Sequence, residues 1–162
     1  MWRYFALGCF LMPQLGFAGA FSGQVTHVSD GDTLWVKPAD GGAPRKLRLQ
    51  GLDAPEICQA GGAASRAALS QLVAGKTVRV TVKYHDTYGR GLARMVVNDR
   101  DVGATLVQSG HAWSSRWHRS LGPYAAQESQ ARAARRGLFA DPAAEVPRDF
   151  RKRHGSCFTA KR

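Results

Sequence analysis

Asp30-Gly31-Asp32-Thr33 places two carboxylates two residues apart. On extended backbone such residues point to one side, which suits a hard cation such as Ca2+ or Mg2+. A plain Asp-Gly hairpin turn is the simpler reading of those four residues alone. In Arg48-Leu49-Gln50-Gly51-Leu52-Asp53-Ala54-Pro55-Glu56 an arginine between Leu47 and Leu49 is followed by two acids that bracket Pro55. A surface salt-bridge cluster is one reading. An arginine fixed by a strand, with Asp53 and Glu56 on a proline-stiffened loop, is the arrangement expected of a site. Asp86-Thr87-Tyr88-Gly89-Arg90 sets a glycine beside an arginine. There a guanidinium and nearby backbone can approach a phosphate closely, and a tight turn is the alternative.

Strands must position these residues. From Phe21 to Arg100 the hydrophobic period is mostly two. Val25 and Val28, then Leu34 and Val36, surround the turn at residues 29–32 and predict two strands. Residues 46–52 alternate as a third strand, the β-branched run 77–84 as a fourth and 92–97 as a fifth. Helices are expected over 61–74, 102–109 and 123–136, the last opened by Pro123 and carrying the Glu128–Arg132 pair. Residues 140–162, with Pro142, Pro147 and Arg151-Lys152-Arg153, read as an extended basic tail. Trp35 and Trp113 are expected as core fillers, and the five histidines lack paired metal-ligand spacing. Five short strands with late helices describe an α+β protein dominated by a small closed barrel. A five-stranded OB-fold barrel with about three capping helices fits best, and such barrels bind nucleic acid on one face.

Composition narrows the setting. The 162 residues hold 23 Lys and Arg against 12 Asp and Glu, a net charge of +11. Between 116 and 162 there are 11 basic residues against 4 acidic ones. Such an excess points to a polyanionic partner, and ordinary hydrophobic content excludes wholesale disorder. Three cysteines exclude a disulfide-framework mini-protein and a four-cysteine zinc site. Residues 1–20 have one charge, Arg3, ahead of an apolar stretch that closes on Ala18-Gly19-Ala20. They read as a signal peptide cleaved after Ala20, with a membrane anchor as the competing reading. Cleavage leaves Cys58 and Cys157, which in an exported chain are most simply a disulfide, and otherwise two free thiols.

The three stretches, in order, resemble the staphylococcal nuclease (thermonuclease) family over about residues 22–139. Further landmarks are Tyr88-Gly89-Arg90-Gly91-Leu92-Ala93, Leu106-Val107-Gln108-Ser109-Gly110-His111-Ala112, and Ala131-Arg132 leading to Gly137-Leu138-Phe139. The resemblance implies a Ca2+ site built from Asp32, Asp53 and the backbone carbonyl of Ala54, a position where the family often has Thr. It implies Glu56 as general base, Arg48 and Arg90 on the scissile phosphate, and Tyr88 on a neighbouring one. Where well-studied members carry tyrosines near the base pocket, this chain has Ser115-Arg116-Trp117-His118. Base stacking then falls to Trp117 or Trp113. The function so implied is a secreted or periplasmic, monomeric, Ca2+-dependent hydrolase of DNA and RNA that leaves 3′-phosphate ends. The domains would be 21–139 for the nuclease and 140–162 for the tail, with no stable membrane association once the signal is removed. Two alternatives remain: a family module that binds nucleic acid without cutting, and an exported basic protein coating an acidic polymer.

Overall fold

A computed structural model describes residues 19–116, 118–155 and 157. Strands β1 (Ala20–Val28), β2 (Thr33–Pro38) and β3 (Arg45–Leu49) form an antiparallel meander. After the two-residue strand β4 (Leu52–Asp53) and helix α1 (Gly62–Val73), strand β5 (Thr77–His85) pairs with β1 and with β6 (Gly91–Val97). Parallel pairing of β3 with β6, in the register Leu47–Gly91, Arg48–Leu92 and Leu49–Ala93, closes the sheet. The result is the expected five-stranded barrel. Bulges in β1 between Val25 and His27, and in β5 between Val82 and Tyr84, occur in the two long strands that must bend around it.

Alternation decides which side chains fill the barrel. Val78, Val80 and Val82 of β5 are buried, while Thr77, Arg79 and Thr81 between them are exposed. Leu34, Val36, Leu47, Leu49, Ala93 and Met95 complete the interior. Two-residue strand β7 (Arg100–Asp101) leads into α2 (Val102–Gln108), whose Asp101 cap accepts from the Ala104 amide at 2.9 Å. Val102, Leu106 and Val107 of α2, with Leu69 and Val73 of α1, cap the barrel. Strand β8 (Trp113–Ser114) pairs with β4, and α3 (Ala125–Ala133) packs on α2. A single 3-10 turn, Gly137–Ala140, follows. Trp113, Ala131 and Phe139 form a separate small core, with the two rings edge to face at 5.8 Å. Trp35 is only half-buried, because it alternates outward between Leu34 and Val36.

The tail departs from expectation. Pro147–His154 is a fourth helix, α4, with proline in its first turn and Arg151, Lys152, Arg153 and His154 in its last. Its physical reason is local: proline at the start, Asp149 in the first turn and cations at the end all favour a short helix. The disulfide joins Cys58 to Cys157, with Cα atoms 5.7 Å apart, so α4 is tied to the loop after Glu56. No helix among the described residues is long and apolar enough to cross a membrane. The proposed leader lies outside the described residues up to position 18, and Ala20 already pairs with Thr81 at the start of β1.

Candidate active site

Barrel closure assembles the site. Thr33 pairs with Arg48 across β2 and β3, and Arg48 pairs with Leu92 across β3 and β6. The turn before β2 and the loop before β6 therefore meet at one end of the barrel. There an open cavity of about 540 Å³ is lined by Asp30, Asp32, Lys46, Arg48, Ala54, Glu56, Tyr88, Arg90 and Arg151 among others.

Asp32 stands at its floor. The Asp32 amide donates to Asp30 Oδ1 at 3.0 Å, which fixes the turn. Its carboxylate accepts from Thr33 Oγ1 at 2.9 Å and from the Ala54 amide at 3.3 Å. Gly31 makes that second contact feasible, since a Cβ there would lie 2.7 Å from the Ala54 and Ser65 Cβ atoms. Asp53, on β4, is held by the β4–β8 pairing of Asp53 with Trp113. Nη2 of Arg48 lies 2.8 Å from Asp32 and 2.9 Å from Asp53.

One atom thus sits within 3 Å of both carboxylates. Two hard anionic oxygens that converge on a single point, with the backbone of residue 54 alongside, are the donor chemistry of a Ca2+ site. Among the described residues no group of three or more His, Cys, Asp or Glu side chains forms a metal cage, so a cation here relies on two carboxylates plus neutral oxygens. Asp32, Asp53 and Ala54 would hold it.

The electrostatics agree with that chemistry. Burial pushes the Asp32 carboxyl up to about 7; Arg48 pulls it down, but Asp30 and Asp53 oppose its ionisation. Burial works against the Arg48 charge, yet Asp32 and Asp53 more than offset it and raise its pKa. Arg48 is shared between Asp32 and Asp53, and Arg151 reaches Asp53 but not Asp32, so the buried Asp32 has only a shared arginine. That is the condition under which added positive charge is favoured.

Glu56 sits on a tight loop. Its amide donates to Gln59 Oε1 at 3.2 Å, and the Gln59 amide donates back to the Glu56 carbonyl at 2.8 Å. Gly62 lets α1 start directly against this loop, for a Cβ there would fall 2.0 Å from the Glu56 carbonyl oxygen. Arg90 is aimed by Asp86, whose Oδ2 accepts from Arg90 Nε at 2.8 Å and whose Oδ1 accepts from the Tyr88 and Arg90 amides, both at 2.9 Å. Burial raises the Asp86 pKa, but these bonds from Arg90 and Tyr88 outweigh it and leave the carboxyl below its ordinary range. Tyr88 is 82% exposed with the Arg90 guanidinium 5.3 Å from its ring centre.

Arg48, Glu56, Arg90, Asp32, Ala54 and Tyr88 therefore line one cavity, and Asp53 contacts it through Arg48. Trp117 lies outside the described residues, and Trp113 is buried against Phe139 instead of facing the cavity. Sequence reasoning missed Lys46, Asp86 and Arg151. Strand alternation carried the signal for Lys46, two residues from Arg48 on the same side of β3. The signal for Asp86 was the Asx-type spacing to Tyr88 and Arg90. Arg151, whose Nη1 lies 2.9 Å from Glu56 and whose Nη2 lies 2.9 Å from Asp53, left no sequence signal, being 95 residues from the nearer acid.

Comparisons with known proteins point the same way. The family described as staphylococcal nuclease homologue matches residues 46–141. An uncharacterised endonuclease of Escherichia coli O157:H7 is 34% identical over 142 residues, covering 87% of this chain and 92% of its own. The micrococcal nuclease of Shigella flexneri is 34% identical over 145 residues, 82% of this chain and 81% of its own. A probable staphylococcal-like nuclease of Oryza sativa subsp. japonica, CAN2, is 36% identical over 107 residues, 66% of this chain, and the chain spans only 29% of that relative's length. With a barrel of the expected topology and a match over most of its length, the chain belongs to the staphylococcal nuclease family.

Proposed function

We propose that the protein is an exported, monomeric, Ca2+-dependent nuclease that hydrolyses phosphodiester bonds in DNA and RNA and leaves 3′-phosphate ends. The observation that carries this reading is the convergence of Asp32 and Asp53 on one point, in a cavity that also presents Glu56, Arg48 and Arg90. The resemblance of residues 1–20 to a signal peptide and the Cys58–Cys157 disulfide support export. Residues 21–139 carry the catalytic domain and 140–162 the C-terminal segment.

Hydrolysis of a phosphodiester builds negative charge on oxygens that already carry one. A positioned base supplies only about 10²–10⁴-fold, so charge neutralisation must supply most of the acceleration. Arg48 and Arg90 supply permanently charged, planar forks suited to phosphoryl oxygens. Asp86 holds Arg90 before substrate arrives, so its orientation costs little at the moment of reaction. Bound by Asp32, Asp53 and the Ala54 carbonyl, Ca2+ would polarise a phosphoryl oxygen as a Lewis acid. Glu56 takes a proton from the attacking water, held by a loop pinned at both ends by Gln59. Tyr88, exposed beside Arg90, contacts the neighbouring phosphate, and Trp117 supplies a stacking surface for a base.

The test is digestion of single-stranded DNA and RNA with Ca2+, with chelator, and with Glu56→Gln. Cleavage should vanish with chelator and fall about 10²–10⁴-fold in the variant. Undiminished cleavage by Glu56→Gln removes the base assignment, and wild type that binds but never cuts with Ca2+ is a binding module.

A further inference from the structure

The C-terminal helix sends one arginine into the site. Arg151 Nη1 donates to Asp53 Oδ1 at 3.1 Å and to Glu56 Oε1 at 2.9 Å, while Nη2 donates to Asp53 Oδ2 at 2.9 Å. We infer that Arg151 is a positioning residue that fixes the Glu56 carboxylate relative to Asp53, and that the Cys58–Cys157 disulfide holds the helix carrying it in place. This rests on the reading of Glu56 as the base.

The fork geometry supports it. Two parallel bonds to Asp53 set the plane of the guanidinium, so the shared Nη1 meets Glu56 from a fixed direction. Among the described residues Arg151 is the side chain bonded to the Glu56 carboxylate. A glutamate has three side-chain torsions, and a base left to sample them meets its water in only a fraction of its conformers. Arg151 occupies one oxygen, and a carboxylate accepts about four hydrogen bonds, so room remains for a water. Arg48 and Arg151 serve different pairs of acids. Arg48 bridges Asp32 and Asp53, the pair that would hold a cation, whereas Arg151 bridges Asp53 and Glu56. A cation taken up between Asp32 and Asp53 would displace Arg48 from Asp32 and share the Asp53 carboxylate with Arg151.

The disulfide ties together the two sides of this clamp. Cys58 lies two residues beyond Glu56, and Cys157 six beyond Arg151. The Cys58 amide also donates to Cys157 Sγ at 3.1 Å. Helix α4 buries only Pro147 fully, and an isolated helix of this length is marginal in water. Just before the helix, Gln59 Nε2 donates to the Glu145 carbonyl at 2.6 Å and Ala144 packs on the Trp113–Phe139 core. With so little apolar docking, α4 depends on covalent attachment to keep Arg151 at Glu56. The dithiol form should be a poor nuclease, and oxidation after export should complete the site.

The experiment uses purified, oxidised protein and a short oligonucleotide with Ca2+. Arg151→Ala should lower kcat about 10–100-fold with KM within about 3-fold, and Arg151→Lys should recover part of the loss. Reducing the disulfide should cost wild type a similar factor but cost Arg151→Ala little more, because both act through one contact. Hydrogen exchange read without Ca2+ should show residues 147–154 opening on reduction while the barrel stays protected. Every cleavage arm is read at saturating Ca2+, with the Kd of each protein taken from calorimetric titration, because Arg151→Ala frees both Asp53 oxygens for the cation. The inference is overturned if Arg151→Ala cleaves as fast as wild type or faster, if KM alone rises, or if the effects of reduction and substitution multiply. Should the reduced protein unfold, the Ala and Lys variants of the oxidised protein decide by themselves. Glu56→Gln in the same assay separates the failures: if it cleaves normally the base assignment is at fault, and if it is inactive while Arg151→Ala is normal, only the clamp is.

Discussion

Replacing Asp32 by Asn should make the fold more stable at neutral pH while abolishing activity. Asp32 is 2% exposed, and burial raises its carboxyl from 3.8 to about 7. Between those values the folded chain holds a proton that the unfolded chain has lost. Stability therefore falls as pH rises through that window and is flat above it. At 1.36 kcal/mol per pKa unit, the ceiling on this loss is about 4 kcal/mol, before the site relaxes or takes up a counter-ion. Asn escapes the loss because it never ionises. It also fits: its oxygen can accept from the Ala54 amide and Arg48, while its NH2 donates to Thr33 Oγ1, a hydroxyl that can reverse its bond. Arg48 keeps Asp53 as a partner. The assay is urea unfolding from pH 4 to pH 8.5 in chelator. Wild type should lose up to about 4 kcal/mol across the range, Asp32→Asn should lose much less, and the variant should be the more stable protein at pH 8. Supplying Ca2+ at a hundred times its Kd should return about 3 kcal/mol to wild type and nothing to the variant. Parallel pH profiles for the two proteins, or a variant weaker than wild type at pH 8, would refute the argument.

Two further perturbations test what supports the site. Glu128 is buried, and its Oε2 accepts from the Ser114 amide at 2.8 Å, on the strand that pairs with β4. Its ion-pair partners Arg116 and Arg132 are 58% and 49% exposed, so those pairs contribute little, and the orphaned Ser114 N–H sets the cost. Glu128→Ala should lose about 1–3 kcal/mol in urea unfolding; a loss under half of 1 kcal/mol shows that the amide finds another acceptor. Asp86→Ala removes two bonds from Arg90 and one from the Tyr88 amide on a surface loop. Its kcat/KM should fall about 10-fold while stability changes by under about 1 kcal/mol, and an unchanged kcat/KM means that Arg90 needs no aiming.

Which parts of this site were legible in the sequence follows from how each part is positioned. Asp32, Arg48, Asp53, Glu56 and Arg90 belong to short stretches in which a turn, an alternating strand or a proline already fixes direction, so spacing made them candidates and the family resemblance of the ordered set supplied their expected roles. The barrel was legible for the same reason: burial in β5 and β6 follows the period of two that the residues display. Trp35 was misread as core because residue type was weighed above alternation, although Leu34 and Val36 on either side are the buried ones. Helix α4 was misread because its signal is not hydrophobic. Pro147 marks a helix start as readily as a loop, and the run Arg151-Lys152-Arg153 has no apolar periodicity to reveal a docked face. Nothing local distinguishes Arg151 from Arg148 or Arg153. Arg151 is singled out by its contacts across 95 and 98 residues, to Glu56 and Asp53.

The site sets function against stability, and the surrounding fold shows how the conflict is resolved. Asp32 is buried beside Asp30 and Asp53, whose charges oppose its own, yet among the described residues no buried side-chain polar atom lacks a hydrogen-bond partner. The strain is therefore charge repulsion and burial, not missing hydrogen bonds. It is contained by connections that reach the acids from different parts of the chain. Pairing of β2 with β3 brings Arg48 to Asp32, β8 holds Asp53, α1 packs under the Glu56 loop, and the disulfide ties down the helix that carries Arg151. Arg151 is 95 residues from Glu56, so that part of the site assembles only after the chain has closed on itself. In the unfolded chain Asp32 is hydrated and no longer held against Asp53, which is why the conflict appears as lost stability at neutral pH. A charge-neutral version of this end of the barrel would fold more stably and would offer nothing to attract a cation.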